Sequence, residues 1–266
     1  MLGTLREGAI SAMWEFAYFG RWATLAWTDI KLRYRRTQLG PFWMTLNTAL
    51  MIFSVGCVWG FVFHMPMEEY LPYFAIGIVV WNFISSTVVE GCRVFLDAHH
   101  FIKSLPNPLM LYVWRLLARQ VICLGHNLVF LALFWLALGR PLHVGALAAI
   151  CGLLVLWIAL LGAVLILGTM CARFRDIPQA VTSLLQILFL VTPIIWSPEG
   201  TPEKVMPHFI FYANPLYNLI EVIRSPMLGH ATTELNWLGA AASAVVTLLL
   251  GLIVFGRFAK RVPYWL

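Results

Sequence analysis

PLHVGALAAICGLLVLWIALLGAVLILGTMCA, residues 141–172, runs for thirty-two positions without one Asp, Glu, Lys or Arg. No soluble domain hides such a run, whereas about 20 apolar residues are what an α-helix needs to cross a ~30 Å hydrocarbon core. The run is overlong for that purpose. Its first residues are therefore assigned to the membrane interface and the span to about 145–172. Five more charge-poor stretches follow the same logic, at about 41–63, 70–89, 109–138, 177–198 and 235–256. In the third of these the apolar run begins only at Gln120, so the helix is expected to start earlier, with Arg115 and Arg119 near the membrane surface.

The whole chain agrees with its longest run. Of 266 residues, 61% are hydrophobic and 11% are charged, against roughly 45–50% and 25% in soluble domains. Mean hydropathy is +0.82. Disorder, collagen, coiled coil and disulfide scaffolds are excluded by the same arithmetic. The expected fold is an all-α integral membrane protein, a single transmembrane domain with six membrane-spanning helices.

Basic residues orient it. One side collects Arg6, Arg21, Lys31, Arg33, Arg35, Arg36, Arg93, Lys103, Arg115, Arg119, Arg173, Arg175, Arg257, Lys260 and Arg261. The other has Arg140, Lys204 and Arg224, with Glu68, Glu69, Glu199, Glu203, Glu221 and Glu234. Fifteen against three sets both termini in the cytoplasm. The formal charge of +6 therefore belongs to loops lying against anionic lipid, and no nucleic acid is implied. The five cysteines (Cys57, Cys92, Cys123, Cys151, Cys171) lie in or beside apolar runs without metal-ligand spacing and read as packing residues. Arg6, Glu7 and Glu15 interrupt any early hydrophobic region, so no cleavable signal peptide is expected and the first span acts as its own insertion signal.

Three segments are not simple spans. Phe16, Phe19, Ala23, Trp27, Ile30 and Tyr34 form an apolar stripe with Arg21 and Asp29 opposite, which predicts an amphipathic interface helix over about 14–36. The loop 91–107 carries a short helix at about 97–105 that offers Phe101, Ile102 and Leu105 to a docking protein. Residues about 198–224 are apolar but broken by Pro207 and Pro215, which predicts a re-entrant helical hairpin on the outer side before the last span.

Chemistry is conspicuous by what is missing. The seven histidines are scattered, and the adjacent His99 and His100 point about 100° apart on a helix, which is poor for chelation. No metal site or catalytic nucleophile is expected. Span interiors lack ionisable residues, so a proton or sodium relay has nothing to run on. Glu90 at a helix end is expected to pair with Arg93, and Asp176 with Arg173 and Arg175. No Gly-x-x-x-x-Gly-Lys-Ser/Thr loop occurs. If transport is powered, ATP and Mg belong to another subunit, and this chain binds no cofactor.

The spans do carry neutral polar residues. Trp43, Asn47, Ser54 and Phe61 share a stripe on the first span, and Gln179, Ser183 and Gln186 recur at i, i+4, i+7 on the fifth. Amides and hydroxyls hydrogen-bond sugar hydroxyls, and aromatic faces stack on pyranose rings. The same residues could instead glue helices together at about 0.6 kcal/mol each. Gly56 and Gly60 lie on a different face of the first span, suited to close helix packing.

The stretch Tyr34-Arg35-Arg36-Thr37-Gln38-Leu39-Gly40-Pro41-Phe42-Trp43 resembles the start of the first span in bacterial polysaccharide ABC exporter permeases. Arg173-Phe174-Arg175-Asp176-Ile177, Thr192-Pro193-Ile194-Ile195-Trp196, and Asn214-Pro215-Leu216-Tyr217 followed by Arg224 do so too, in order, over nearly the whole chain. The loop Lys103-Ser104-Leu105-Pro106-Asn107-Pro108-Leu109, His126-Asn127 and the terminal Tyr264-Trp265-Leu266 are similar to the O-antigen (Wzm-like) branch. The Phe-Pro-Arg pattern of teichoic-acid and some capsule permeases is absent after the loop. The resemblance implies a homodimer with two ATPase subunits, exporting undecaprenyl-pyrophosphate-linked O-antigen across the bacterial inner membrane. It implies that 97–105 is the coupling helix, with His99, His100, Phe101, Ile102, Lys103 and Leu105 facing the ATPase, and that 198–224 closes the outer mouth. The interface helix and first span become a lateral gate. Arg33, Arg35 and Arg36 there are either lipid anchors or a bidentate cradle for the pyrophosphate. Rival readings are a capsule or teichoic-acid permease of the same fold, a drug or small-lipid exporter, and a membrane enzyme.

Overall fold

The computed structural model describes residues 10, 15–38, 40, 42–63, 66–105, 107–139, 144–196 and 209–266, and among these every regular element is helical. In chain order they are α1 (Phe19–Tyr34), α2 (Phe42–Phe63), α3 (Met67–Arg93), α4 (His99–Ser104), α5 (Met110–Ala137), α6 (Leu147–Arg173), α7 (Ile177–Val191), α8 (Phe209–Ala213), α9 (Pro215–Leu228), α10 (Glu234–Phe258) and α11 (Val262–Trp265). Among the described residues five helices are long and apolar enough to cross a membrane: α2, α3, α5, α6 and the α10–α11 stretch.

The expected span at 177–198 is different. Its helix, α7, ends at Val191 after 15 residues, about 22 Å at 1.5 Å per residue and short of a ~30 Å core. Proline is the cause. Pro193 brings no N–H and forces the preceding residue out of helical geometry, and Thr192 is indeed extended at φ −80°, ψ 132°. The chain then crosses the start of α3. There the Tyr70 hydroxyl donates to Ile195 O at 2.6 Å, and the Tyr73 hydroxyl lies 3.3 Å from Pro193 O and 3.2 Å from Trp196 O. The first arm of the expected hairpin, 198–208, lies outside the described residues. Its remainder is α8 and α9. Asn214 caps α9, its side chain accepting from the backbone N–H groups of Leu216 and Tyr217, with Pro215 as first helical residue and left-handed Gly229 closing the other end.

α6 is the hub, packed on α3, α9 and α10. Without water to drive helices together, association in lipid depends on close backbone approach at small residues. Gly152 faces α9, where an added Cβ would meet Val222 O at 2.6 Å; Gly168 faces Val94 and Gly91 of α3 and its C-cap. Gly162 and Gly251 put α6 against α10: a Cβ on Gly251 would lie 2.6 Å from Gly162 O, and one on Gly162 would strike the Thr247 backbone. Gly56 and Gly60 are buried against α3, on Leu71 and Phe74 and on Met67 and Tyr70 respectively.

Two apolar clusters stack along the helix axes. One, around Phe74, Ile78, Leu131, Leu156 and Ile220, occupies the half nearer α9. The other, around Phe95, Met110, Leu117, Val164 and Phe255, occupies the half nearer α1 and α4. α1 docks on α5 through Trp22, Ala26 and Ile30. Its buried face thus differs from the expected stripe: Phe19 and Trp27 are exposed, and Asp29 turns inward to the protein. The reason is the charge partner Asp29 finds on α5.

Replacing Gly162 by Ala should push α6 and α10 apart at a cost of about 1–3 kcal/mol. The expected reading is a lower thermal midpoint of the purified protein. Gly125→Ala, where an added Cβ meets nothing within 4 Å, should leave that midpoint unchanged or slightly higher.

Candidate functional site

The charges at the end nearer α1 are organised rather than scattered. Asp29 accepts from Arg115 Nε at 2.7 Å and from a second nitrogen of the same guanidinium, a bidentate pair. It also accepts from Arg119 Nη1 at 2.9 Å. Arg119 reaches on to Glu90 at 2.6 Å, and Glu90 takes two more donors, Arg33 Nη2 at 3.0 Å and Gln120 Nε2 at 2.9 Å. Ser86 Oγ completes the relay, 3.1 Å from Gln120 Oε1. Helices α1, α3 and α5 are joined by this one network. Three guanidiniums stand against two carboxylates, so it carries a net positive charge.

Glu90 therefore does not pair with Arg93; that arginine bonds Asp97 instead, at 3.3 Å on the exposed surface. Asp176 makes no ion pair among the described residues. The expectation of simple charge-paired helix ends missed the network because it joins helices distant in sequence: Asp29 to Arg115 spans 86 positions.

Two cavities flank α3. One of about 440 Å³ lies between α2, α3 and α5, lined by Arg33, Thr48, Asn82, Ser86, Gln120 and Asn127, with Glu90 at its charged edge. The other, about 390 Å³, lies between α2, α3 and α7 and includes Met51, Trp81, Thr182 and Gln186. Asn82, Ser85 and Val89 line both. Asn82, Ser85 and Ser86 are an i, i+3, i+4 polar set inside an otherwise apolar span, a signal present in the sequence and passed over.

The opposite end holds one wholly buried arginine. Arg224 on α9 donates through Nε and Nη2 to Glu221 Oε2 at 3.1 and 2.5 Å, and through Nη1 to Pro193 O at 2.9 Å. Its guanidinium carbon lies 3.9 Å from the Tyr73 ring centre, a cation–π contact. Burial works against the charge, yet the facing Glu221 more than restores it, so the arginine's pKa is held above its ordinary value. This group pins α9 and the segment after α7 to α3.

The ABC-2 type transporter family matches residues 21–228, most of the chain. The chain belongs to that family. Permeases of this kind are membrane transport subunits that work with a separate nucleotide-binding subunit. Among similar proteins is an O-antigen export system permease protein RfbA of Myxococcus xanthus, 22% identical over 240 residues, 88% of this chain and 90% of the relative. Two proteins of the same description from Klebsiella pneumoniae are 20% and 21% identical, each over 88% of this chain and 90% of the relative.

In this permease the residues singled out by sequence divide. Arg33 is held by Glu90, whereas Arg35 and Arg36 are exposed just past the end of α1 and make no ion pair among the described residues. On α2, Trp43, Asn47, Ser54 and Phe61 are all exposed, as are Gln179, Ser183 and Gln186 on α7; of these only Gln186 lines either cavity. On α4, Phe101 is 52% exposed and Leu105, just after it, 47%. Ile102 is instead buried against the cluster of Phe95, Ala98 and Met110, so it cannot offer itself to a partner. His99 Nδ1 is engaged with Leu96 O at 2.9 Å, while His100 and Lys103 are exposed. No group of three or more His, Cys, Asp or Glu suited to a metal occurs among the described residues.

Replacing Asp29 by Asn leaves two guanidiniums facing a neutral acceptor and should weaken α1 docking by about 1–3 kcal/mol. Trypsin should then cut within α1 about fivefold faster or more, if opening precedes cleavage. Asp97→Asn, which removes only an exposed pair, should leave the cleavage rate unchanged.

Proposed function

We propose that this permease is the transmembrane subunit of an ATP-driven exporter that moves undecaprenyl-pyrophosphate-linked O-antigen polysaccharide across the bacterial inner membrane. It acts as a homodimer with two ATPase subunits that hold the ATP and Mg. Six spans cross the membrane, the fifth being α7 with its extended continuation, and α8–α9 belong to a re-entrant hairpin at the outer mouth. Both termini face the cytoplasm, which puts the Asp29–Glu90 network at the inner leaflet.

The observation that carries this reading is the exposure of the polar stripes. Residues that glue the helices of one protomer together should be buried between them. Asn47 and Ser54 on α2, and Gln179, Ser183 and Gln186 on α7, are all exposed within the protomer. The cavities support a dimer: 390 and 440 Å³ suit a small ligand, not a threaded chain, so the chain passes between two copies. Aromatic and amide side chains on that surface offer many weak, similar contacts, which lets a glycan slide without lodging. The names of the relatives support O-antigen as cargo.

Replacing Asn47 or Gln186 by Leu should slow glycan export severalfold, the loss expected of a few weak contacts at about 1 kcal/mol each. Assembly and basal ATP hydrolysis should stay near normal. Export that falls only in step with the amount of assembled complex would sink the path assignment.

The coupling helix gives a paired test. Phe101→Ser should leave the permease folded but weaken its association with the ATPase, because an exposed apolar group is lost from the docking face. Ile102→Ser should destabilise the permease itself by about 2–5 kcal/mol. Pull-down of the ATPase together with a thermal midpoint separates the two; normal pull-down with Phe101→Ser would remove α4 from the contact.

A further inference from the structure

The cavity between α2, α3 and α5 is graded along its depth. At its rim stand Arg33 and Glu90, paired at 3.0 Å, with the Arg33 side chain 47% exposed. Going inward along α3 from Glu90 to Asn82 covers about 12 Å, and along α5 from Gln120 to Asn127 about 10 Å, at 1.5 Å per residue. Over that depth the lining is uncharged and largely apolar, with Met44, Phe83, Val89 and Leu124, but Thr48, Asn82, Ser85, Gln120 and Asn127 set polar groups into it.

Asn127 Oδ1 is buried with no hydrogen-bond partner among the described residues. A buried acceptor left unpaired costs about 1–3 kcal/mol, and amides within a span are costly unless something hydrogen-bonds them. The network at the rim is also built for exchange. Glu90 takes donors from Arg33, Arg119 and Gln120, so an incoming anion could take Arg33 and leave Glu90 with two partners.

We propose that this cavity is a sugar-phosphate site: a phosphate takes Arg33 in place of Glu90, and the attached sugar's hydroxyls bond Asn82, Gln120 and Asn127. The chemistry follows from the lining. A hydroxyl both donates and accepts, as amides do, and a guanidinium fork matches phosphate oxygens. The volume suits one such headgroup. The site rests on the reading of the chain as a glycan exporter and names which part of a lipid-linked glycan a single protomer holds: the phosphate-bearing sugar, apart from the threaded chain between protomers.

Cys123 lines the same cavity, whereas Cys151 sits on an exposed face of α6. The test uses the full permease with its ATPase in phosphatidylcholine nanodiscs. Alkylation of Cys123 is followed by mass spectrometry, with Cys151 as internal reference. Saturating glucose 1-phosphate should slow Cys123 alkylation about threefold or more, as occupancy dictates, and leave Cys151 unchanged. Glucose or inorganic phosphate alone should protect less. Arg33→Gln and Asn127→Leu should each remove the protection while Cys151 still reacts at the wild-type rate, and Asn127→Ser should do so if Asn127→Leu fails to assemble.

Absence of protection by glucose 1-phosphate overturns the site. So does equal protection by phosphate alone that survives Asn127→Leu, which marks an anion at the rim only. Full protection by phosphatidylglycerol nanodiscs, with glucose 1-phosphate adding nothing, assigns the cavity to a lipid headgroup and also overturns it. Surface glycan in cells with and without the chain is scored in parallel. Glycan that depends on the chain, without Cys123 protection, overturns this site alone; protection without glycan dependence overturns the exporter reading.

Discussion

A charge within a hydrocarbon slab must find a counter-charge or leave, and the distribution of ion pairs in this permease follows from that. At the end nearer α1, Asp29 and Glu90 gather Arg33, Arg115 and Arg119 into one relay. Toward α9, Glu221 answers the wholly buried Arg224. Between them, along the long helices, the polar groups are neutral. The two clusters differ in character. The first is half-open and shares carboxylates among several guanidiniums, so single bonds in it can be exchanged. The second is sealed, with the arginine fixed by a carboxylate, a backbone carbonyl and a tyrosine face at once. One end is suited to adjustment and the other to holding a fold.

Backbone proximity supplies what hydrophobicity cannot in lipid. The glycines of α6 meet α3, α9 and α10, while α2 and α7 pack mainly on α3, outside this centre. Their outward faces retain large apolar groups such as Phe42, Leu50, Leu184 and Ile187 beside the polar stripes. These two helices thus form flanks along α3. Both cavities lie along those flanks and share α3 as a common wall.

Much of this was legible beforehand because it depends on local chemistry. Charge-free length determines a span whatever it packs against, so α2, α3, α5, α6 and α10 follow from the sequence. The Gly56 and Gly60 face could be told from the polar stripe of α2 because helical periodicity separates them. The short helix at residues 99–104 was expected for its apolar groups in a loop closed by Pro106 and Pro108. The end of α7 at Val191 was legible too: Pro193 forbids helical geometry at Thr192, although an apolar run counted only by length passes straight over it.

What the sequence alone could not decide is which charges meet. Glu90 has Arg93 nearby in the chain, yet it bonds Arg33 and Arg119, because α1 and α5 bring those guanidiniums to it across 57 and 29 positions. Ile102 reads like Phe101 in a string of letters; on α4 they point about 100° apart, so docking of the helix buries one and leaves the other outside. The two cavities exist only where α2, α5 and α7 stand off from Asn82 and Ser85, a gap no single helix encodes. Residue type and period determine what each helix can bury, and the packing of α1, α3 and α5 around shared carboxylates decides what it does bury.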